Sequence, residues 1–181
     1  MPDEGELDAS QIDAVVRAIE AGADAIAVPV EMLQEPDDKT AAPPPTLWAQ
    51  ILTMGMAEKL KLALRGNKDA RNILLRDGSK LIRRFVLQNP RISDMEVIAV
   101  ARNRSADEDL VRTIAERREW MRNYQIRLAL AGNPKTPLVI ALKQVSTLDD
   151  RDLRTIAKSK NVPQAVGAQA RRILMTRPSS R

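Results

Sequence analysis

Internal repetition is the feature that most limits how this chain can fold. Ile82-Arg83 followed by Asn89-Pro90 recurs, 44 residues later at all four positions, as Ile126-Arg127 followed by Asn133-Pro134. Half of that spacing also occurs, because Leu60-Lys61 with Asn67 precedes the first copy by 22 residues. Further matches pair Val97-Ile98-Ala99 with Val139-Ile140-Ala141, Asp109-Leu110 with Asp152-Leu153, Thr113-Ile114-Ala115 with Thr155-Ile156-Ala157, and Ile126-Arg127 with Ala170-Arg171. A unit of about 22 residues, paired into about 43, is typical of a stack of similar structural units.

Each unit is predicted to be helical. Aromatic residues make up only 2% of the chain, and leucine, isoleucine, valine, alanine and methionine supply the apolar content that helix-on-helix packing uses. Glycine, asparagine and proline interrupt the helical patterns at short intervals. Helices are predicted at about 47–65, 69–76, 80–88, 94–102, 107–118 and 120–131, and then from Thr136-Pro137, from Thr147 with Asp150, and from Pro163 to about Thr176. We therefore expect an all-α fold, with at least eight short helices stacked in sequence order and no sheet within residues 56–176.

These residues resemble a known family. An apolar-Arg pair that opens a helix, then Asn-Pro, then an apolar helix, is similar to the leucine-rich repeat variant, a relative of the HEAT and armadillo helical repeats. The resemblance covers roughly Met56 to Thr176. It implies a right-handed α-solenoid, a superhelix of short stacked helices, some of them 3₁₀ turns. The copies at 104–115 and 148–160 lack Asn-Pro, so the pairing is closer to HEAT-like repeats there.

Charge divides the chain into an acidic N-terminal arm and a basic body. Residues 1–46 hold eleven acidic side chains against Arg17 and Lys39, a net charge of −9, and residues 47–181 carry +14. We predict an arm at 1–34, a proline-rich linker at 35–46 and a helical-repeat domain at 47–181. The arm is expected to be mobile except for one amphipathic helix from Ser10 to Ala21, which either packs on the body or recognises a partner. If the arm covers the body, its deletion should raise the affinity for anionic partners; otherwise the asymmetry serves solubility.

The repeat register places Lys61, Arg83, Arg127 and Arg171 at one equivalent position of successive units. We call these four residues the cation ladder. Each could bond a carboxylate or a helix C-terminal carbonyl of the next unit, or the four could form a basic stripe that binds an anionic partner. Further cations that favour the stripe, and that complete the predicted partner-binding set, are Arg84, Arg102, Arg104, Arg122, Lys158, Lys160 and Arg172.

Several classes of site are disfavoured by composition. The chain has no cysteine and no histidine, so thiolate metal sites, iron–sulfur clusters and the commonest general base are excluded. The carboxylates Asp107 to Asp109, like Asp149, Asp150 and Asp152, fall at predicted helix starts, where the helix dipole favours acidic residues. We expect no catalytic residues, no metal and no cofactor. The acidic N-terminus and the lack of an apolar run of about 18 residues predict a cytoplasmic protein that does not span a membrane.

Two functions remain. The first is a non-enzymatic protein–protein interaction adaptor, whose basic surface binds an acidic protein or peptide segment. The second is a sequence-nonspecific nucleic-acid-binding protein that grips DNA or RNA phosphates through the basic body. The scarcity of aromatic residues argues against stacking on single-stranded bases, so the second function would depend on shape and salt.

Overall fold

A computed structural model describes residues 7–36 and 45–177. Within these ranges the chain forms eleven α-helices, two 3₁₀ turns and no strand. The prediction of an all-α fold, with at least eight helices and no sheet over 56–176, is confirmed. The helices are α1 (Ala9–Ala21), α2 (Pro45–Thr53), α3 (Met56–Arg65), α4 (Lys68–Leu74), α5 (Lys80–Val86), α6 (Asp94–Arg102), α7 (Glu108–Glu116), α8 (Tyr124–Gly132), α9 (Leu138–Val145), α10 (Asp150–Lys158) and α11 (Gln164–Thr176), with 3₁₀ turns at Val30–Met32 and Trp120–Arg122.

The chain divides into two compact units, Met1–Ile92 and Ser93–Arg181. In the first unit, Ile19 of α1 and Met32 are fully buried together with apolar residues of α3, α4 and α5. In the second, α8 packs on α6 and α9, and α11 packs on α9 and α10. The predicted division at 1–34, 35–46 and 47–181 stays a prediction, and most of its linker, residues 37–44, lies outside the described residues.

Helix boundaries follow the capping chemistry of individual residues. Gly22 ends α1 with a φ of +67°, as predicted, but the N-cap is Asp8 rather than Ser10. The single helix expected over 47–65 is two helices, because Gly55 starts α3 and donates its amide to the Glu58 carboxylate at 2.8 Å. Ser93 and Glu96 form the predicted capping box of α6. At α10 the cap is Asp149, which accepts the amide of Asp152, and the capping box expected from Thr147 is wrong.

The helices recur three at a time. Helices α8 and α9 begin 44 residues after α5 and α6, and α10 begins 42 residues after α7. Two of the sequence matches fall out of this register. Val97 is fully buried whereas Val139, 42 residues later, is 80% exposed. Similarly, Leu153 is the fourth residue of α10 and is therefore equivalent to Val111, the fourth residue of α7. The sequence match had paired Leu153 with Leu110 instead.

A buried asparagine joins each repeat to the part of the chain before it. The side-chain amide of Asn89 donates to the carbonyls of Ala63 and Gly66, at 3.0 and 3.2 Å. Asn133, 44 residues later, donates to the carbonyls of Ala101 and Asn103 at 2.7 and 3.0 Å. Both accept an amide two residues ahead through Oδ1, at 2.9 and 2.8 Å. Two of these bonds reach carbonyls in the last turns of α3 and α6, those of Ala63 and Ala101, which a helix end leaves without an intrahelical partner.

Asn67 and Arg177 extend the series in each direction. The Asn67 amide donates to the carbonyls of Glu31 and Gln34 at 2.8 and 2.7 Å. Arg177, 44 residues after Asn133, donates to the carbonyls of Ser146 and Leu148, at 3.5 and 2.9 Å. A guanidinium therefore takes the place of the amide in the last copy.

Candidate binding groove

The cation ladder is engaged inside the protein. Arg83 donates to the carbonyl of Asp77, and Arg127 donates to that of Met121 at 2.9 Å, so the donors and the acceptors are both 44 residues apart. Arg171 donates to the carbonyl of Ala157 at the end of α10, at 2.9 Å. Each arginine thus binds a main-chain carbonyl that precedes it in the chain, whereas the structural alternative for the ladder placed the acceptor in the next unit.

Lys61, the fourth member, holds the N-terminal segment that follows α1. Its ammonium lies 2.6 Å from the Asp24 carboxylate and 2.6 Å from the Ile26 carbonyl. The hydrogen bond from Lys61 lowers the pKa of Asp24, even though burial acts in the opposite direction. The segment over residues 23–36 therefore binds α3 through one carboxylate and one main-chain carbonyl.

A second carboxylate fixes the end of the same segment. Glu35 accepts from Arg71 at 2.9 Å and from the Lys68 amide at 3.1 Å. Burial opposes ionisation of Glu35, but these two hydrogen bonds outweigh it and lower its pKa. The first unit thus binds an acidic, largely extended stretch of its own chain.

A groove lies within the second unit, between the end of α7 and α9. Its volume is about 490 Å³, which is within the range of ligand-binding clefts. Apolar side chains supply much of its wall, and polar side chains from α7, α8 and α9 complete it. The lining residues are Ala115, Glu116, Met121, Arg127, Ile140, Lys143, Gln144 and Thr147.

Lys143 and Arg127, against the carboxylate of Glu116, leave the lining of the groove with a net positive charge. The Arg127 guanidinium is held by the Met121 carbonyl and by the Thr147 hydroxyl, 3.2 Å from Nε, and it lies 5.5 Å from the centre of the Tyr124 ring. Lys143 is exposed, and no ion pair or hydrogen bond of its ammonium is present within residues 7–36 and 45–177. Lys143 is therefore the cation that an incoming carboxylate could reach.

The Tyr124 hydroxyl fixes the start of α10 beside this arginine. It donates to the Asp152 carboxylate at 2.5 Å and accepts from the Asp149 amide at 3.3 Å. Burial, followed by the bond to Asp152, raises the pKa of Tyr124 to about 12. The amide of Asp152 lowers the pKa of Asp149. These hydrogen bonds among Tyr124, Asp149 and Asp152 hold the N-terminus of α10 in place.

That the predicted partner-binding residues share one basic surface stays a prediction. Arg127 alone lines the groove, and Arg102 donates to the Gln125 side chain at 3.2 Å. The others are exposed and lie on several elements: Arg84, Arg104, Arg122, Lys158, Lys160 and Arg172. Lys143 was not among the predicted residues, and nothing in the spacing of the sequence marks it.

Comparison with known proteins identifies no relative. No family model matches the chain, and no match is found among curated proteins or among solved structures. The described residues contain no cluster of three or more side chains suited to a metal ion. None of the described helices combines the length and apolar character needed to cross a membrane. The resemblance to the leucine-rich repeat variant and HEAT repeats stays a prediction.

Proposed function

We propose that this protein is a non-enzymatic helical-repeat adaptor that binds an acidic protein segment in the groove of its second unit. The observation that carries the proposal is the combination of an apolar wall, formed by Ala115, Met121 and Ile140, with the exposed ammonium of Lys143. An apolar side chain of the partner would enter the groove, and a neighbouring carboxylate would bind Lys143. The right-handed solenoid and the cytoplasmic location are parts of this proposal.

The chemistry of the groove favours a segment of polypeptide with both features. Burial of one large apolar side chain contributes about 1.5–3 kcal/mol, and an exposed ion pair adds at most about 1 kcal/mol. The apolar contact therefore supplies most of the affinity, and Lys143 supplies the preference for an acidic neighbour. Because ordering a flexible peptide offsets part of this gain, a short peptide should bind with a Kd of about 1 mM or weaker.

The first unit gives an example of this recognition within the chain itself. Residues 23–36 place Asp24 on Lys61 and Glu35 on Arg71, and Ile26 packs partly buried against the core beside Asp24. An acidic residue next to an apolar one is therefore a pattern that helices of this protein already accommodate. This resident segment supports the choice of an acidic polypeptide over a small molecule.

A peptide array tests the proposal on the full chain. Four matched sets of 15-residue peptides would carry an apolar residue with acidic neighbours, an apolar residue with basic neighbours, acidic residues alone, or an apolar residue alone. We expect the first set to bind best, and Lys143→Glu to reduce that binding about two- to fivefold. Lys135→Glu, an equal charge change at another exposed lysine of the same unit, is the control. Equal losses in both variants, or a preference for basic neighbours, would refute the proposal.

A further inference from the structure

Helices α7 and α10 occupy equivalent places in successive repeats but differ on their outer faces. Each has nine residues, and α10 begins 42 residues after α7. At the three outward positions, α7 carries Asp109, Arg112 and Glu116, whereas α10 carries Arg151, Arg154 and Lys158, all of them exposed. The outward face of α7 thus carries a net negative charge, and that of α10 carries only positive charges. Since packing requires neither sign, a binding role explains the difference.

The three cations of α10 share one side of the helix. Their spacing of i, i+3 and i+7 places them in line, with Leu153 and Ile156 buried on the other side. On α7, by contrast, Arg112 is paired with Glu108 at 2.7 Å. No described carboxylate forms an ion pair with Arg151, Arg154 or Lys158. We refer to these three residues as the α10 basic face.

The carboxylates of α10 and of its cap are used inside the unit. Asp149 caps the helix, Asp150 binds Arg177 at 2.9 Å, and Asp152 accepts the Tyr124 hydroxyl. None is left to neutralise the outer side of the helix by a contact among the described residues. The helix therefore presents three cations outward, and its nearest exposed carboxylate is Asp149 at the N-cap, whose charge acts on Arg151.

We propose that the α10 basic face binds the phosphate backbone of a double-stranded nucleic acid without reading its sequence. From Arg151 to Lys158 the helix rises about 10 Å, the length over which one strand carries about three phosphates. Between the cations lies only Thr155, so the face offers no apolar centre of the kind that protein interfaces use. It also lacks an apolar side chain that could insert into a lipid surface. This site is separate in chemistry from the groove and does not depend on it.

Salt-dependent binding of a labelled 20-base-pair duplex, as DNA and as RNA, tests the proposal with the full chain. The variant Arg151→Asp with Lys158→Glu gives α10 the two acidic residues of α7. Loss of two phosphate contacts should reduce the slope of log K against log salt by about 1.8. Between 50 and 200 mM NaCl the wild type should therefore lose about 12-fold more affinity than the variant. A third protein, with Arg118→Glu and Lys135→Glu, has the same net charge as the variant and exposed substitutions elsewhere in the unit.

The outcomes separate this proposal from its alternatives. A reduced slope in the α10 variant, together with a wild-type slope in the charge-matched control and in Lys143→Glu, supports the α10 basic face. Equal reductions of the salt slope in the variant and in the control would show that only net charge matters, and would overturn the proposal. So would a wild type that binds neither duplex at 50 mM NaCl, or an α10 variant that loses binding only to phosphatidylserine vesicles or to an acidic peptide.

Discussion

Replacement of Asn133 by alanine is expected to lower the free energy of unfolding of the second unit by about 3 kcal/mol. The side chain is 2% exposed and makes three hydrogen bonds, two to the carbonyls of Ala101 and Asn103 and one from the amide of Lys135. Each bond contributes about 1 kcal/mol net, and buried groups that lose a partner raise the total. The loss should therefore be large for a change of one polar side chain.

Asn103 provides a closely matched control. It also ends a helix with extended backbone, and its Oδ1 accepts an amide two residues ahead at 2.9 Å, but its side chain is exposed and its amide group makes no hydrogen bond within the described residues. Asn103→Ala keeps the main-chain carbonyl that Asn133 uses, so it should cost less than about 1 kcal/mol.

Urea unfolding followed by tryptophan fluorescence measures both changes. Trp120 is 5% exposed in the second unit, and in a Trp48→Phe background it is the only tryptophan of the chain. The midpoint should fall much further for Asn133→Ala than for Asn103→Ala. If the two variants lost equal stability, or if Asn133→Ala lost less than 1 kcal/mol, the buried asparagine would not be what joins successive repeats.

Three further predictions concern register and ionisation. Val97→Ala should destabilise by about 1–3 kcal/mol and Val139→Ala by less than 0.5 kcal/mol in the same urea assay, because only the first side chain is buried. Absorbance titration of Tyr124, the only tyrosine, should give a pKa of about 12. The substitution Asp152→Asn should lower that pKa. Because folding raises this pKa, the stability that Tyr124 contributes is complete below pH 10 and is lost as the pH rises to about 12. The pKa of Glu35 is lowered by folding from 4.5, so its contribution is present above that pH and is lost below it, and the difference in thermal midpoint between wild type and Glu35→Gln should shrink as the pH falls from 7 to 3.

The repeat and its asparagines could be predicted from the sequence because each copy needs the same residue type at the same position. Asn133 caps the end of α8 and Asn89 follows α5 by three residues, and each precedes a proline, which lacks an amide hydrogen and disfavours helical backbone in the preceding residue. Arg83 and Arg127 are also 44 residues apart, and so are the carbonyls that they bind. Where a side chain must bond the same backbone groups in each copy, the same residue type recurs at equivalent positions of the repeat.

The sequence matches do not mark equivalent positions of the repeat where a position requires only an apolar residue. Val97 and Val139 match in identity but differ in burial, because any apolar residue fits several positions of an amphipathic helix. The groove was not predictable for a related reason. Lys143 and Glu116 lie 27 residues apart on different helices, and nothing in the spacing of the sequence brings them together. Local patterns predicted the elements, and the packing of α7 against its neighbours determines which side chains meet.

The deletion of residues 1–46 is a poor test of the charge asymmetry. Ile19 and Met32 are fully buried in the core of the first unit, so removal of the arm would expose Leu60 and its neighbours. Asp24→Asn combined with Glu35→Gln removes three ion pairs, those of Lys61, Arg71 and Arg91, while keeping the arm's apolar contacts. If the arm competes with acidic partners, this double variant should bind an acidic peptide more tightly than the wild type does.

A charge-swap titration tests the central claim most directly. The acidic peptide that binds best in the array, and a version in which its acidic residues are lysines, would each be titrated calorimetrically into the wild type and into Lys143→Glu. The account predicts that the wild type prefers the acidic peptide, that Lys143→Glu weakens this complex, and that the lysine peptide recovers affinity for Lys143→Glu by a coupling free energy of about 0.5–1 kcal/mol. A coupling free energy of zero, with both peptides bound equally by both proteins, would contradict a groove in which Lys143 recognises an acidic segment.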